Sequence, residues 1–178
     1  MSGSPACFAP FAAMLVLTAC ATAPGTGTHT GPIGAAPAPQ ETITVALGPC
    51  FGFCPVYEAS LAPEGGVRFE GQRHTAVLGE RTRDVGAVVY DGLKRDLAAF
   101  RPAAGTQAAV DCTAAVSDTS PYTVTWTDPA GRQTIATVQG GCPGGPGQAL
   151  VQLLRGVPER LGIAEWARQT TRPGTSRG

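Results

Sequence analysis

Residues 42–73 read TITVALGPCFGFCPVYEASLAPEGGVRFEGQR, and this stretch carries the strongest fold signal in the chain. In three of its segments β-branched and apolar residues alternate with polar ones, a period typical of half-buried strands. Gly and Pro supply the turn chemistry that separates the segments. We therefore predict strands at 42–47, 56–61 and 67–70, joined by a loop at 48–55 and a tight turn at 63–66. The last two strands form a hairpin.

Beyond this stretch the pattern changes from strand to helix. A fourth, shorter strand is predicted at 75–78. Asp84 is then predicted to cap a helix, which Pro102 ends. The helix carries one apolar stripe, because apolar residues recur at three- and four-residue steps at Val85, Val88, Val89, Leu93, Leu97 and Phe100. The segment 101–120 has no clear period and is predicted to be irregular.

The C-terminal part of the chain repeats the order of strands followed by a helix. The segments YTVTWT at 122–127 and QTIATV at 133–138 flank the turn sequence DPAG, which predicts a second hairpin. A last helix is predicted over 150–161, with a break at Gly156 and Pro158. Hairpins followed by helices indicate the α+β class, here a small antiparallel sheet of hairpins with two helices packed on it in a single domain.

Length, composition and charge limit the class of protein. The chain has 178 residues, which is consistent with one domain, assigned to residues 41–170 and followed by a tail, 171–178, that is expected to be disordered. The 13 Lys and Arg residues balance 13 Asp and Glu residues, and aromatic residues make up only 6%. We therefore expect no nucleic-acid partner, since neither a basic field nor a set of stacking side chains is present.

The N-terminal residues predict a targeting signal and not a folded element. An apolar stretch too short to span a bilayer ends at Leu17-Thr18-Ala19-Cys20. It resembles a bacterial lipoprotein signal, although residues 1–13 lack Lys and Arg. The resemblance implies that residues 1–19 are removed and that Cys20 carries the lipid. There are two alternatives. The stretch is an ordinary cleaved signal in which the cysteine occurs by chance, or it is a buried core helix.

The segment after the signal predicts how and where the domain is anchored. Residues 20–40 are rich in Gly and Pro and contain no charged side chain, which predicts a flexible linker behind the lipidated Cys20. The residue after Cys20 is Ala21 and not the Asp that retains lipoproteins in the inner membrane of enteric bacteria. We therefore expect a bacterial cell-envelope protein whose lipid inserts into the outer membrane and whose domain faces the periplasm.

Four cysteines remain in the predicted domain: Cys50, Cys54, Cys112 and Cys142. An even number in an exported domain indicates disulfides, and four cysteines allow three pairings. We favour Cys50 with Cys54 and Cys112 with Cys142, because the second bond would tie the loop before the second hairpin to the loop after it.

The loop at 48–55 carries a family resemblance. Residues 42–73 resemble a bacterial family known only as a domain of unknown function, whose members share a G-x-C-x-G-x-C-P loop between two strands. The resemblance implies a secreted or lipid-anchored protein without an established activity. Because members often have the first cysteine pair without the second, it also supports pairing each cysteine with its own neighbour.

A copper or thiol-redox protein is the alternative. The C-x-x-x-C-P pattern also resembles Sco-type copper chaperones, in which two thiolates and a distant histidine bind the metal, so Cys50, Cys54 and His74 are the alternative ligands. In that fold a helix follows the motif directly, whereas this chain continues into a strand.

No residue set in the sequence predicts catalysis or a cofactor. One local basic stretch is a candidate partner surface and consists of Arg68, Arg73, Arg81, Arg83 and His74. We interpret it as a solvated sheet face, with an anion or glycan contact as the alternative. We therefore favour a non-enzymatic binding or scaffold module whose envelope-protein or glycan partner is unknown.

Overall fold

A computed structural model describes residues 40–170. The predicted signal sequence, Cys20, nearly all of the predicted linker and the tail predicted at 171–178 lie outside the described residues. Seven strands form one sheet: β1 Thr42–Leu47, β2 Val56–Leu61, β3 Gly66–Arg73, β4 Gly79–Asp84, β5 Gln107–Ala109, β6 Val116–Thr127 and β7 Gln133–Gly141. The helices are α1 Ala87–Leu97, α2 Pro146–Arg155 and the single turns α3 Val157–Arg160 and α4 Ala164–Ala167. None of these helices has the length and apolar character that crossing a bilayer would require.

The order of strands across the sheet is β4-β3-β2-β1-β6-β7-β5. Strands β1 to β4 form an antiparallel meander, and β1 pairs antiparallel with β6 of the second hairpin. Strand β5 pairs parallel with β7 at the far edge. The predicted α+β class therefore fits the structure, but the prediction of a purely antiparallel sheet of hairpins is wrong at this edge.

The core lies between one face of the sheet and the helices. Alternation places the buried side chains of each strand on this face, and the largest fully buried ones are Trp126, Phe69, Ile43 and Leu61. On the opposite face the strands carry hydroxyls and charges, and the Thr44 and Ser60 hydroxyl oxygens lie 2.8 Å apart across β1 and β2. Only one face is therefore apolar, as the alternation predicted.

The fourth strand lies at 79–84 and not at the predicted 75–78. Thr75 is instead buried in the connection between β3 and β4, where its hydroxyl donates to the Val77 carbonyl oxygen at 2.6 Å. Strand β4 has the sequence GERTRD, and all six residues are exposed. An edge strand without a buried face has no apolar alternation, so its pattern was invisible in the sequence.

Helix α1 begins later than predicted. Gly86 precedes its first turn, and the Asp84 carboxylate accepts a hydrogen bond from the Gly86 amide at 3.0 Å instead of capping the helix itself. Tyr90 lies three residues before the fully buried Leu93 and shares its face, whereas Val88 lies five residues before Leu93, about 140° round the helix, and is 85% exposed. The predicted stripe was therefore wrong at Val88, although Leu93 and Leu97 are fully buried.

The segment predicted to be irregular contains β5 and the first half of β6. Both β5 and the residues added to β6 are mostly exposed, so they lacked the apolar period on which the prediction relied. The break predicted at Gly156 is present, because α2 ends at Arg155 and α3 starts at Val157.

The start of β1 is held against the end of α1 by polar contacts. The Glu41 carboxylate is buried and forms an ion pair with Arg101. The Tyr90 hydroxyl donates to the Glu41 carbonyl oxygen at 2.6 Å, and the Arg101 guanidinium lies 5.8 Å from the centre of the Trp126 ring. These contacts fix the point at which the chain enters the domain.

Candidate functional site

The loop between β1 and β2 is the most distinctive part of the surface, and we call residues 48–55 the cysteine loop. Cys50 and Cys54 are joined by a disulfide across it, with their Cα atoms 5.7 Å apart. Between them Gly52 has a φ angle of 145°, a value that L side chains rarely adopt. The disulfide and this glycine together close the loop into a small ring.

Neighbouring segments hold the cysteine loop on two sides. On the β6 side, the Gly48 amide donates to the Pro121 carbonyl oxygen at 2.8 Å and the Phe51 amide donates to the Asp118 carbonyl oxygen at 3.4 Å. On the C-terminal side, the side-chain amide of Gln169 donates to the Phe53 carbonyl oxygen at 2.8 Å. The backbone of the loop is therefore fixed at several points.

Two phenylalanines project from this fixed loop. Phe51 is 93% exposed, and Phe53 is 43% exposed with its ring edge-on to His74 at a centroid distance of 5.4 Å. Neither phenylalanine was predicted from the sequence to lie at a functional site. The cysteine spacing alone could not show it, because both lie in the same closed ring and Phe53 is much less exposed than Phe51.

A groove adjoins the cysteine loop at the same end of the sheet. One cavity of about 370 Å³ is lined by Leu47, Pro55, Tyr57, Glu159 and Arg168 among others. A second, of about 230 Å³, shares Leu47 and Pro55 and is lined in addition by Cys54, Ser120, Tyr122 and Arg155. We call the two together the end groove.

Two tyrosines lie on either side of the last residue of β1, on the two neighbouring strands. Leu47 pairs with Tyr57 on one side and with Tyr122 on the other. Burial raises the pKa of the Tyr57 phenol, and charges on Tyr122 and Glu159 would raise it further. Burial also raises the pKa of Tyr122, against the opposing effect of the Arg155 guanidinium. At neutral pH both phenols therefore stay protonated and are suited to hydrogen bonding rather than to proton abstraction.

Residues 41–159 match the sequence model of a domain of unknown function (DUF6438). The chain belongs to the DUF6438 family. A comparison with curated proteins finds no match. The matched range contains the cysteine loop, both disulfides and most of the end groove, so these features belong to the DUF6438 domain itself. The family carries no assigned activity, and the lipoprotein signal and the role of the loop as a family signature stay predictions.

The second disulfide of the DUF6438 domain joins Cys112 to Cys142, with Cα atoms 5.6 Å apart. It links the segment before β6 to the segment after β7, so it closes the base of the second hairpin. Cys142 is buried, whereas Cys112 is partly exposed. Both favoured pairings are therefore the ones present in the structure.

The alternative copper ligands come close together only in part. His74 contacts Phe53 of the cysteine loop, but Cys50 and Cys54 are bonded to each other and offer no thiolate in this state. Among residues 40–170, no three His, Cys, Asp or Glu side chains gather into a group suited to a metal ion. The geometry therefore gives the copper alternative no support.

Two arginines of the basic stretch contact other parts of the chain. Arg68 forms ion pairs with Glu80 at 2.8 Å and Glu70 at 3.2 Å, and its hydrogen bond lowers the pKa of Glu80. Arg83 donates to the Gly162 carbonyl oxygen and lies 5.8 Å from the centre of the Trp166 ring. Carboxylates therefore pair with Arg68, whereas Arg83 is held by a carbonyl oxygen and an aromatic ring, which do not neutralise its charge.

Proposed function

We propose that the protein is a lipid-anchored component of the bacterial cell envelope, in which the DUF6438 domain is a non-enzymatic binding module. The cysteine loop makes the central contact with the partner, and the end groove beside it receives partner side chains. The lipid on Cys20 and the linker at 20–40 tether the module to the membrane.

The observation that carries this proposal is the exposure of Phe51 on a fixed loop. Phe51 and Phe53 place two exposed phenyl rings on one loop, and exposed apolar side chains that lie together mark interaction sites where a single one does not. Disulfide closure between Cys50 and Cys54 reduces the conformational entropy that the loop would lose on binding. Aromatic side chains presented on such preorganised loops are typical binding anchors.

The cysteine loop lies at the far end of β1 from the first described residues of the domain. The strand runs from Thr42 to Leu47, which leads into the cysteine loop. A partner can therefore contact Phe51 without contacting the start of β1.

The binding role is tested by photo-crosslinking in the envelope of intact cells. A benzophenone amino acid replaces Phe51 in one variant and Val88 in a control variant, because Val88 is also highly exposed, at 85%, but lies on α1. We expect a discrete crosslinked product from position 51 that is absent from position 88 and reduced when Cys54 is replaced by serine. Equal products from both positions, or no product from position 51, would contradict the proposal.

The anchoring role is tested on the mature protein. Intact mass should show that residues 1–19 are absent and that acyl chains are added at Cys20, because two or three buried chains are needed for stable anchoring. A Cys20→Ala variant should leave the membrane fraction. If that variant still partitions with membranes, lipid attachment at Cys20 does not anchor the protein.

A further inference from the structure

The two edges of the sheet differ in the way they are protected from pairing with another chain. Along β4, the exposed edge residues include Glu80, Arg81, Arg83 and Asp84, and such charges discourage the addition of another strand. At the opposite edge, β5 has the sequence Gln-Ala-Ala, and all three residues are exposed and uncharged. The edge at β5 therefore lacks the electrostatic protection that β4 has.

Within residues 40–170, main-chain hydrogen-bonding groups of β5 face this open edge without a partner. The Val110 amide donates to the Thr137 carbonyl oxygen at 2.8 Å, and the Ile135 amide donates to the Thr106 carbonyl oxygen at 2.9 Å. These bonds show that Thr106 and Val110 direct their main-chain groups toward β7. Because these groups alternate along a strand, the amide and carbonyl groups of Gln107 and Ala109 point away from the sheet.

A cavity flanks β5 on each face of the sheet. On the helix side, a cavity of about 390 Å³ is lined by Ala99, Phe100, Pro102, Ala108 and Pro146 among others. On the other side, a cavity of about 310 Å³ is lined by Ala109, Cys112, Ala115, Pro121 and Thr137 among others. Ala108, beside the buried Ala136, lines only the cavity on the helix side, whereas Ala109, beside Thr137, lines both cavities.

One carboxylate lies between the two cavities. Asp111 lines both of them, and its main-chain oxygen accepts a hydrogen bond from the Gly147 amide at 2.8 Å. Within residues 40–170, the Asp111 side chain takes part in no ion pair. It therefore favours a cationic group at the end of the edge where β5 leaves the sheet.

We infer that the β5 edge binds an extended peptide segment of a partner protein by strand addition. Its backbone pairs with Gln107 and Ala109, its apolar side chains enter the two cavities alternately, and a basic side chain lies next to Asp111. An added strand has the same two-sided alternation as the cavities, and this match sets the class of ligand. This inference does not depend on the cysteine loop.

A second copy of the chain fits the same edge less well. Two β5 strands paired about a two-fold axis would place Gln107 opposite Ala109 and Ala108 opposite its own copy. Such a pair satisfies the main-chain groups, but the alanines are too small to fill cavities of about 310 and 390 Å³. Larger apolar side chains of a different segment fill them better.

The test is a titration of the full chain with the peptide acetyl-Thr-Val-Leu-Val-Lys-amide, monitored by amide NMR shifts. We expect shifts at Gln107 and Ala109 and affinity about tenfold weaker in Ala109→Pro, which removes one outward amide. The matched control is Ala104→Pro, at the second position of the turn closed by the Thr106 amide and the Ala103 carbonyl oxygen, where proline is favoured. That control should bind like the native chain.

Further probes keep the test decisive if Ala109→Pro misfolds. Ala115→Trp, which fills one cavity, should weaken binding, and so should a peptide methylated at its central amide or carrying Glu in place of Lys. Shifts confined to the cysteine loop, or equal binding by the methylated peptide, would overturn strand addition. Concentration-dependent dimerisation without peptide binding would assign the edge to a second copy instead.

Discussion

Replacing Cys112 by serine is expected to lower the free energy of unfolding by about 3–4 kcal/mol. The disulfide with Cys142 spans a sequence separation of 30, so its loss restores loop entropy to the unfolded chain. The bond also closes the base of the β6–β7 hairpin, which lies between β1 and β5 in the sheet. Few other single substitutions in the domain would remove a constraint of this size.

Urea unfolding of three variants measures this effect. Cys112→Ser, Cys142→Ser and the double variant should lose similar stability, because each removes the same bond. The matched control is Thr113→Ser, at an exposed neighbour of Cys112, which should stay within about 0.5 kcal/mol of the native chain. If the losses of the two single variants add in the double variant, the cysteines act independently and the pairing is wrong.

The part of the fold that follows hydrophobic alternation could be predicted from the sequence. Strands β1 and β2 have the predicted bounds, and the β6–β7 hairpin lies where the two alternating segments met the turn sequence DPAG. Each of these strands has one buried and one exposed face, which imposes a period of two on the residues. The break at Gly156 could also be predicted, because Gly and Pro interrupt a helix through their own backbone preferences.

The edges of the sheet could not be predicted in the same way. Strand β4 is exposed at every residue, and β5 has three exposed residues, so neither imposes an apolar period on its sequence. The position of β5 beside β7 is also set by a parallel pairing that no local turn encodes. Helix α1 shows a smaller error, because Val88 lies five residues before the buried Leu93 and so falls off the buried face, which Tyr90 shares instead.

Of the candidate site, only the disulfides were predicted. The cysteine pairing was favoured among three possibilities, from the loops around the second hairpin and from the family resemblance. The sequence did not place Tyr57 and Tyr122 on either side of Leu47, since that row depends on the pairing of three strands. The exposure of Phe51 depends on how the closed loop is held against β6. Long-range pairing decided both features.

The bond between Cys50 and Cys54 is expected to resist reduction until the potential falls below about −300 mV. A structural disulfide of an exported domain has a potential in this range, whereas a labile redox bond is reduced near about −200 mV, a difference equivalent to about 4.6 kcal/mol. The hydrogen bonds that Pro121 and Gln169 make with the loop support the structural role, because they are arranged around the closed ring.

The direct measurement is a titration of the oxidised protein with a dithiol of known potential, followed by alkylation and mass spectrometry that identify the cysteines released. The reduced protein is then offered Cu(I), with the Cys50→Ser and Cys54→Ser variants as matched controls. A binding module held by a structural disulfide predicts that Cys50 and Cys54 stay bonded until below about −300 mV and that Cu(I) binding does not depend on either cysteine. Ready reduction near about −200 mV, or Cu(I) binding that both variants lose while keeping the fold, would contradict the structural role and assign the loop to copper or redox chemistry.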